Sequence, residues 1–214
     1  MPIVKGVVFD LGAVVIDWNP MHLYRKIFAG DEAKARDFLE KVCTPAWNER
    51  QDAGRDLREA TAERVAMFPQ WEREIRAYYG RWIEMIGGPI PGTADLMQDI
   101  KASGLHLFAL SNWHSETFSR VRHQFKELDL FEHIVLSGEY GCIKPQASFY
   151  QIALDCYGIP AENLVFVDDN PRNVEGAAQV GIPSLLFTGA DKLREDLIEL
   201  GLRLPSRVES PVEA

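Results

Sequence analysis

A chain of 214 residues, 46% hydrophobic and 26% charged, can bury one sizeable core plus a smaller appendage. Its 32 acidic side chains outnumber 23 basic ones, and the resulting net charge of −9 excludes sequence-independent nucleic-acid binding, which needs a basic footprint. No apolar run approaches the length of a membrane span, so no membrane contact is expected, and the oligomeric state is left open.

The first element is a buried strand over residues 4–9, which leaves no room for a signal peptide and points to a cytoplasmic protein. From Pro20 to about Ile86 no strand pattern occurs, only helix-like stretches rich in Arg, Glu, Ala and aromatic residues. Asp17-Trp-Asn-Pro20 leads into this stretch and Gly87-Gly-Pro-Ile-Pro-Gly92 leads out, both read as turn-rich connectors. Residues 93–103 form a helix with Leu96, Met97 and Ile100 on one face, closed by Gly104. Strands follow at 105–110 and 134–136, then a helix at 148–157 with Phe149, Ile152, Ala153 and Cys156 on one face. A strand at 164–167, a helix at 173–180 and a strand at 184–187 complete the series.

Strands alternating with helices predict an α/β fold, a doubly wound Rossmann-like parallel sheet with an inserted helical cap. The expected organisation is a core of residues 1–17 and 88–204, a cap at 18–87 and a frayed tail at 205–214. Cys43, Cys142 and Cys156 have no paired or metal-ligand spacing and are expected as reduced thiols in or near a core.

Four polar clusters fall at or beyond strand ends: Asp10, Ser111-Asn112, Lys144 and Asp168-Asp169. Each alone has a plain reading as a cap, turn or surface residue. Ligands bind outside the carboxyl ends of an open α/β sheet, so these distant clusters would converge on one crevice. Two adjacent carboxylates at the end of a buried strand also favour a cation between them.

In combination, Val8-Phe-Asp10-Leu-Gly-Ala-Val14, Leu110-Ser-Asn112, Gly141-Cys-Ile-Lys144-Pro145 and Phe166-Val-Asp168-Asp169-Asn170 resemble the four ordered motifs of the haloacid dehalogenase superfamily. The insert is similar to that family's small helical cap of subfamily I. The resemblance implies a hydrolase, phosphatase-like, acting on a small phosphorylated molecule. Asp10 would be the nucleophile, forming an aspartyl-phosphate. Mg²⁺ would be held by Asp10, the Gly12 carbonyl, Asp168 and Asp169. Lys144 would neutralise nucleophile and phosphate, and Ser111 with Asn112 would bind the phosphoryl group.

One position departs from the pattern. Most phosphatases of the superfamily carry a second Asp two residues after the nucleophile as general acid and base, and here that residue is Gly12. Three readings stay open: a substrate whose leaving group needs little protonation, such as a sugar 1-phosphate, or a proton supplied from the cap; a 2-haloacid substrate, as in a dehalogenase working without metal; or a non-catalytic phosphometabolite binder. A bacterial sugar-phosphate branch of the family also begins its first motif Asp-Leu-Gly. Family dehalogenases typically have Ser for the first acid of the fourth motif, so the presence of both Asp168 and Asp169 favours the metal-dependent phosphatase.

In the cap, residues 44–55 read as a polar loop whose Trp47, Arg50 and Asp52 are candidates to reach the crevice and read the substrate, and Asp52 or Arg50 could replace the chemistry lost at Gly12. Trp113 and His114 are candidates for the site entrance. Trp71, Tyr78, Tyr79 and Trp82 fall at near-helical spacing and are expected to form the cap's own core.

Overall fold

The computed structural model describes residues 3–205. Strand β1 (Gly6–Phe9) is buried throughout, and beyond Asp10 the chain turns through Ala13, at φ 57°, into β2 (Ile16–Trp18). Next come α1 (Met21–Ile27), α2 (Glu32–Lys41), α3 (Pro45–Asp52), α4 (Leu57–Met67) and α5 (Glu72–Gly80), before β3 (Ile86–Pro89) returns beside β2. The remainder alternates: α6 (Thr93–Ala102), β4 (His106–Ser111), α7 (Ser115–Val121), β5 (His133–Leu136), α8 (Ser137–Tyr140) and α9 (Ala147–Tyr157). Then follow β6 (Leu164–Asp168), α10 (Pro171–Gln179), β7 (Ser184–Leu186) and α11 (Ala190–Glu199).

The main sheet has the order β5-β4-β1-β6-β7, and every pairing in it is parallel. Side chains alternate across β1. Val7 and Phe9 pack with Leu96, Ile100 and Leu193 from α6 and α11, while Val8 packs with Phe149, Tyr150 and Ala177 from α9 and α10. Two covered faces explain why the strands read as nearly continuous apolar runs. The chain fills one side of β1 with β4 and β5, then crosses to β6 and β7, which puts a topological switch point at the carboxyl end of β1.

The connectors read as turns are in fact paired. β2 and β3 form a short antiparallel ribbon with Ile16 opposite Pro89, Asp17 opposite Gly88 and Trp18 opposite Ile86. Glycine and proline in β3 masked its strand character, since both residues depress that pattern. Gly87 leaves room there for the Asp17 carboxylate, whose Oδ2 lies 2.8 Å from His22 Nε2 and would have to move if a Cβ were added.

The helices between β2 and β3 share a dense aromatic cluster. Trp71 packs edge-on to Phe38 at 5.5 Å, Tyr78 meets Tyr79 at 5.0 Å, and Tyr79 stacks on Trp82 at 5.7 Å. All three cysteines are free thiols, with Cys43 buried and Cys142 and Cys156 partly buried. Among the described residues no helix is long and apolar enough to cross a membrane. The tail predicted to fray lies, beyond Pro205, outside the described residues.

Candidate active site

The sheet register brings the separated motifs together. Phe9 pairs with Ala109 on one side and Val167 on the other, so Asp10 leaves the sheet level with the ends of β4 and β6. Its amide donates to the Val167 carbonyl at 2.8 Å. Asp10 Oδ1 accepts from the Leu11 amide at 2.7 Å and lies 2.9 Å from Lys144 Nζ. No protein donor claims Oδ2 among the described residues.

Lys144 is buried and bridges two carboxylates, donating to Asp168 Oδ2 at 2.6 Å as well as facing Asp10. Burial alone would lower its pKa, but Asp10 and Asp168 hold it above the ordinary lysine value. Asn112 fixes this lysine's backbone from across the crevice: its Oδ1 accepts from the Lys144 amide at 2.8 Å and its Nδ2 donates to the Lys144 carbonyl at 3.0 Å. Asp168 also accepts from the Asn170 amide at 2.8 Å and from Asn173 Nδ2, 3.1 Å from each of its oxygens.

Carboxylate oxygens of Asp10, Asp168 and Asp169 lie within 4.8 Å of one another. Burial, with Asp168 and Asp169 adding to it and Lys144 opposing, raises the Asp10 pKa from 3.8 to about 7. Asp169 opens onto the cavity and is also raised, by partial burial and then by Asp168. Three carboxylates thus face one ammonium, and among the described residues Asp169 pairs with no cationic side chain. This all-oxygen, under-compensated cluster fits a hard divalent cation such as Mg²⁺.

Above the cluster lies a cavity of about 410 Å³, with Asp10, Gly12, Ser111 and Asp169 at its floor and Leu39, Pro45, Trp18, Tyr78 and Trp82 in its wall. No Lys, Arg or His lines it among the described residues. Gly12 is open: a Cβ there would meet nothing within 4 Å, and its φ lies outside the left-handed region. Neither space nor backbone therefore requires glycine at this position.

The structure brings together Asp10, Gly12, Ser111, Asn112, Asp169 and Asp52 around the cavity, with Lys144 and Asp168 packed behind. It does not bring Trp47 or Arg50 to that lining. Trp47 is buried, its ring 5.2 Å from Tyr78 and 5.3 Å from Tyr79, because the aromatic cluster offers it more apolar contact than the crevice does. Arg50 sits on the exposed face of α3, where its charge stays hydrated. Trp113 does line the cavity, whereas His114 caps α7, with Nδ1 accepting from the Glu116 amide at 3.1 Å.

Sequence reasoning missed Asn173, which braces Asp168 from the first turn of α10, and Asn48, which lines the cavity beside Asp52. Helical spacing was the available signal for Asn48, which stands four residues before Asp52, whereas Asn173 was marked only by its place in the first turn after the proline that opens α10.

A doubly wound parallel sheet carrying a lysine-braced acidic cluster at its switch point, beneath inserted helices, defines an α/β protein of the Rossmann-like class with a covered site. Residues 4–181 match the haloacid dehalogenase-like hydrolases, and the chain belongs to that family. The chain is 24% identical over 184 residues to the sesquiterpene phosphatase astK of Aspergillus oryzae, covering 86% of this chain and 90% of that protein. It is 30% identical over 93 residues to haloacetate dehalogenase H-2 of a Moraxella species, covering 44% and 42% of the two chains. In fold it is similar to a haloacid dehalogenase family enzyme of Bacteroides thetaiotaomicron solved with magnesium and inorganic phosphate (TM-score 0.65, 20% identity, 87% and 95% covered).

Proposed function

We propose that the protein is a Mg²⁺-dependent phosphomonoester hydrolase that acts on a small phosphorylated metabolite through an aspartyl-phosphate on Asp10. The observation that carries this reading is the division of the Asp10 carboxylate at the cavity it lines: Oδ1 is held by Lys144 and the Leu11 amide, and Oδ2 has no protein donor among the described residues. Oδ2 attacks phosphorus in line and water then releases phosphate, splitting one hard displacement into two. Lys144 opposes the burial that raises the Asp10 pKa and so favours its ionised form beside an anion, and the Ser111 hydroxyl donates to a phosphoryl oxygen. The Mg²⁺ that Asp10, the Gly12 carbonyl, Asp168 and Asp169 would hold supplies charge neutralisation at the phosphoryl group.

A cavity without cationic side chains accommodates one anionic group, the metal-bound phosphoryl. A leaving group bearing its own carboxylate or phosphate would meet uncompensated acids. The substrate is therefore the monophosphate of an uncharged alcohol. The wall of Trp18, Leu39, Tyr78 and Trp82 suits an apolar carbon skeleton, in keeping with the sesquiterpene named for the Aspergillus relative, and suits a sugar less well.

Dehalogenation is the second reading. It is favoured by Gly12, since a halide leaves unprotonated, and by the Moraxella relative; it is opposed by the want of a cation for the haloacid carboxylate. Hydrolysis of p-nitrophenyl phosphate with Mg²⁺ and with EDTA, beside halide release from 2-chloropropionate, tests the choice. Mg²⁺-dependent turnover lost in Asp10→Asn is expected; halide release indifferent to EDTA would overturn the proposal.

A further inference from the structure

The open space at Gly12 leaves the leaving group without the proton donor that position usually supplies, and the cavity contains a second carboxyl. Asp52 ends α3, is only 7% exposed, and lines the same cavity as Asp10 and Gly12. Its surroundings are ordered by two hydrogen bonds. Tyr79 donates its hydroxyl to Asn48 Oδ1 at 2.9 Å, which turns the Asn48 amide so that Nδ2 donates to Asp52 Oδ2 at 2.8 Å. Oδ2 is thereby an acceptor. A proton on Asp52 belongs to Oδ1, which has no hydrogen-bond partner among the described residues.

The backbone of Asp52 is also tied to the core. The Asp52 carbonyl accepts from the Ser137 hydroxyl at 2.6 Å, and Ser137 Oγ in turn accepts from the Trp113 amide at 2.9 Å, two residues beyond Ser111. One side chain therefore couples Asp52 to the loop that would bind phosphate. Burial, then Glu49, then Asp10 raise the Asp52 pKa well above the ordinary carboxyl value, which favours the protonated form that can donate.

Resting on the phosphatase reading above, we propose that Asp52, supplied by the inserted helices, is the general acid and base that replaces the residue absent at Gly12. In the first step the bond from Asp10 Oδ2 to phosphorus forms, the bond from phosphorus to the ester oxygen breaks, and the Asp52 proton passes to that oxygen, releasing the alcohol. In the second, water forms its bond to phosphorus, the aspartyl-phosphate bond breaks, and the water's proton returns to Asp52.

The test uses the full chain with Mg²⁺ and two substrates of nearly equal size, phenyl phosphate and p-nitrophenyl phosphate. Phenolate is the more basic leaving group and needs the proton; p-nitrophenolate scarcely does. For Asp52→Asn, kcat/KM, which reports steps through the formation of aspartyl-phosphate, is expected to fall on the order of 10²-fold for phenyl phosphate and only a few-fold for p-nitrophenyl phosphate. A structural role for Asp52 would lower both alike, so an unchanged ratio of the two overturns the inference. Should Asn not be accommodated, Asp52→Ser gives the same comparison. Wild-type protein without Mg²⁺-dependent turnover would refute the phosphatase reading instead.

Discussion

Lys144 shows most directly how one residue holds the site together. Among the described residues it is the sole ammonium against the buried carboxyls of Asp10 and Asp168, and it joins Asp10 at the end of β1 to groups more than a hundred residues further along the chain. Removing one partner of such a group leaves charge buried and unpaired, which costs far more than the pair itself contributes. Lys144→Met is accordingly expected to destabilise the fold by ~3–5 kcal/mol in chemical denaturation. Turnover should fall together with stability; a variant as stable as the wild type would contradict the bridging role. The lysine was legible in sequence because it fell in an ordered motif. Its partners' geometry was not, because hydrogen bonds such as those of Asn112 to the Lys144 backbone depend on cross-sheet register.

Among the elements, α3 is the informative one. The sequence there reads as a loop, yet Thr44 accepts from the Trp47 amide at 3.1 Å and Pro45 opens a helix. Its orientation is not legible either, because the residues that sequence reasoning aimed at the crevice lie on different faces. Trp47 goes into the aromatic cluster, Arg50 to solvent and Asp52 to the cavity. Apolar periodicity is weak in so polar a helix, so nothing local selects the face. Selection comes from the far end, where Gly54 meets Gly138 closely enough that a Cβ at Gly54 would lie 2.7 Å from the Gly138 carbonyl oxygen. Gly138 is itself enclosed, since its own Cβ would sit 2.8 Å from the Ser115 amide nitrogen. Gly138→Ala should therefore push this contact apart, lowering stability by ~1–3 kcal/mol and raising KM. Thermal melts and steady-state kinetics would check it, and unchanged values for both would show that the contact is slack.

At the scale of the whole molecule, the parallel core was readable from alternating patterns, and the strands at 134–136 and 164–167 fall within one residue of β5 and β6. The β2–β3 ribbon was not, since its partners are some seventy residues apart and rich in glycine and proline. The molecule as a whole also carries an electrostatic debt at Asp10. Unfolded, that group ionises at its ordinary 3.8; folded and without metal, it holds its proton up to about 7. The native state then binds the extra proton between those values, so metal-free stability declines as pH rises from about 4 to about 7. A cation among the carboxylates relieves that cost, and binding to the native state alone stabilises it. Mg²⁺ should therefore raise Tm more at pH 8 than at pH 5, relative to EDTA; equal shifts at both would argue against a cation in this cluster.

The ribbon has a consequence of its own. Because Asp17 stands opposite Gly88, the chain leaves the sheet and returns to it at nearly the same point, so everything between is a closed excursion with adjacent ends. Closing a longer excursion adds little further entropy, since the cost grows only slowly with length. The helices over the cavity can thus lengthen, shorten or be exchanged for others while the ribbon keeps the same footing beside Asp10. Selectivity can drift within that excursion while Asp10, Lys144 and the acidic pair stay as they are, and Asp52 is the one proposed reacting group that has to be kept on it.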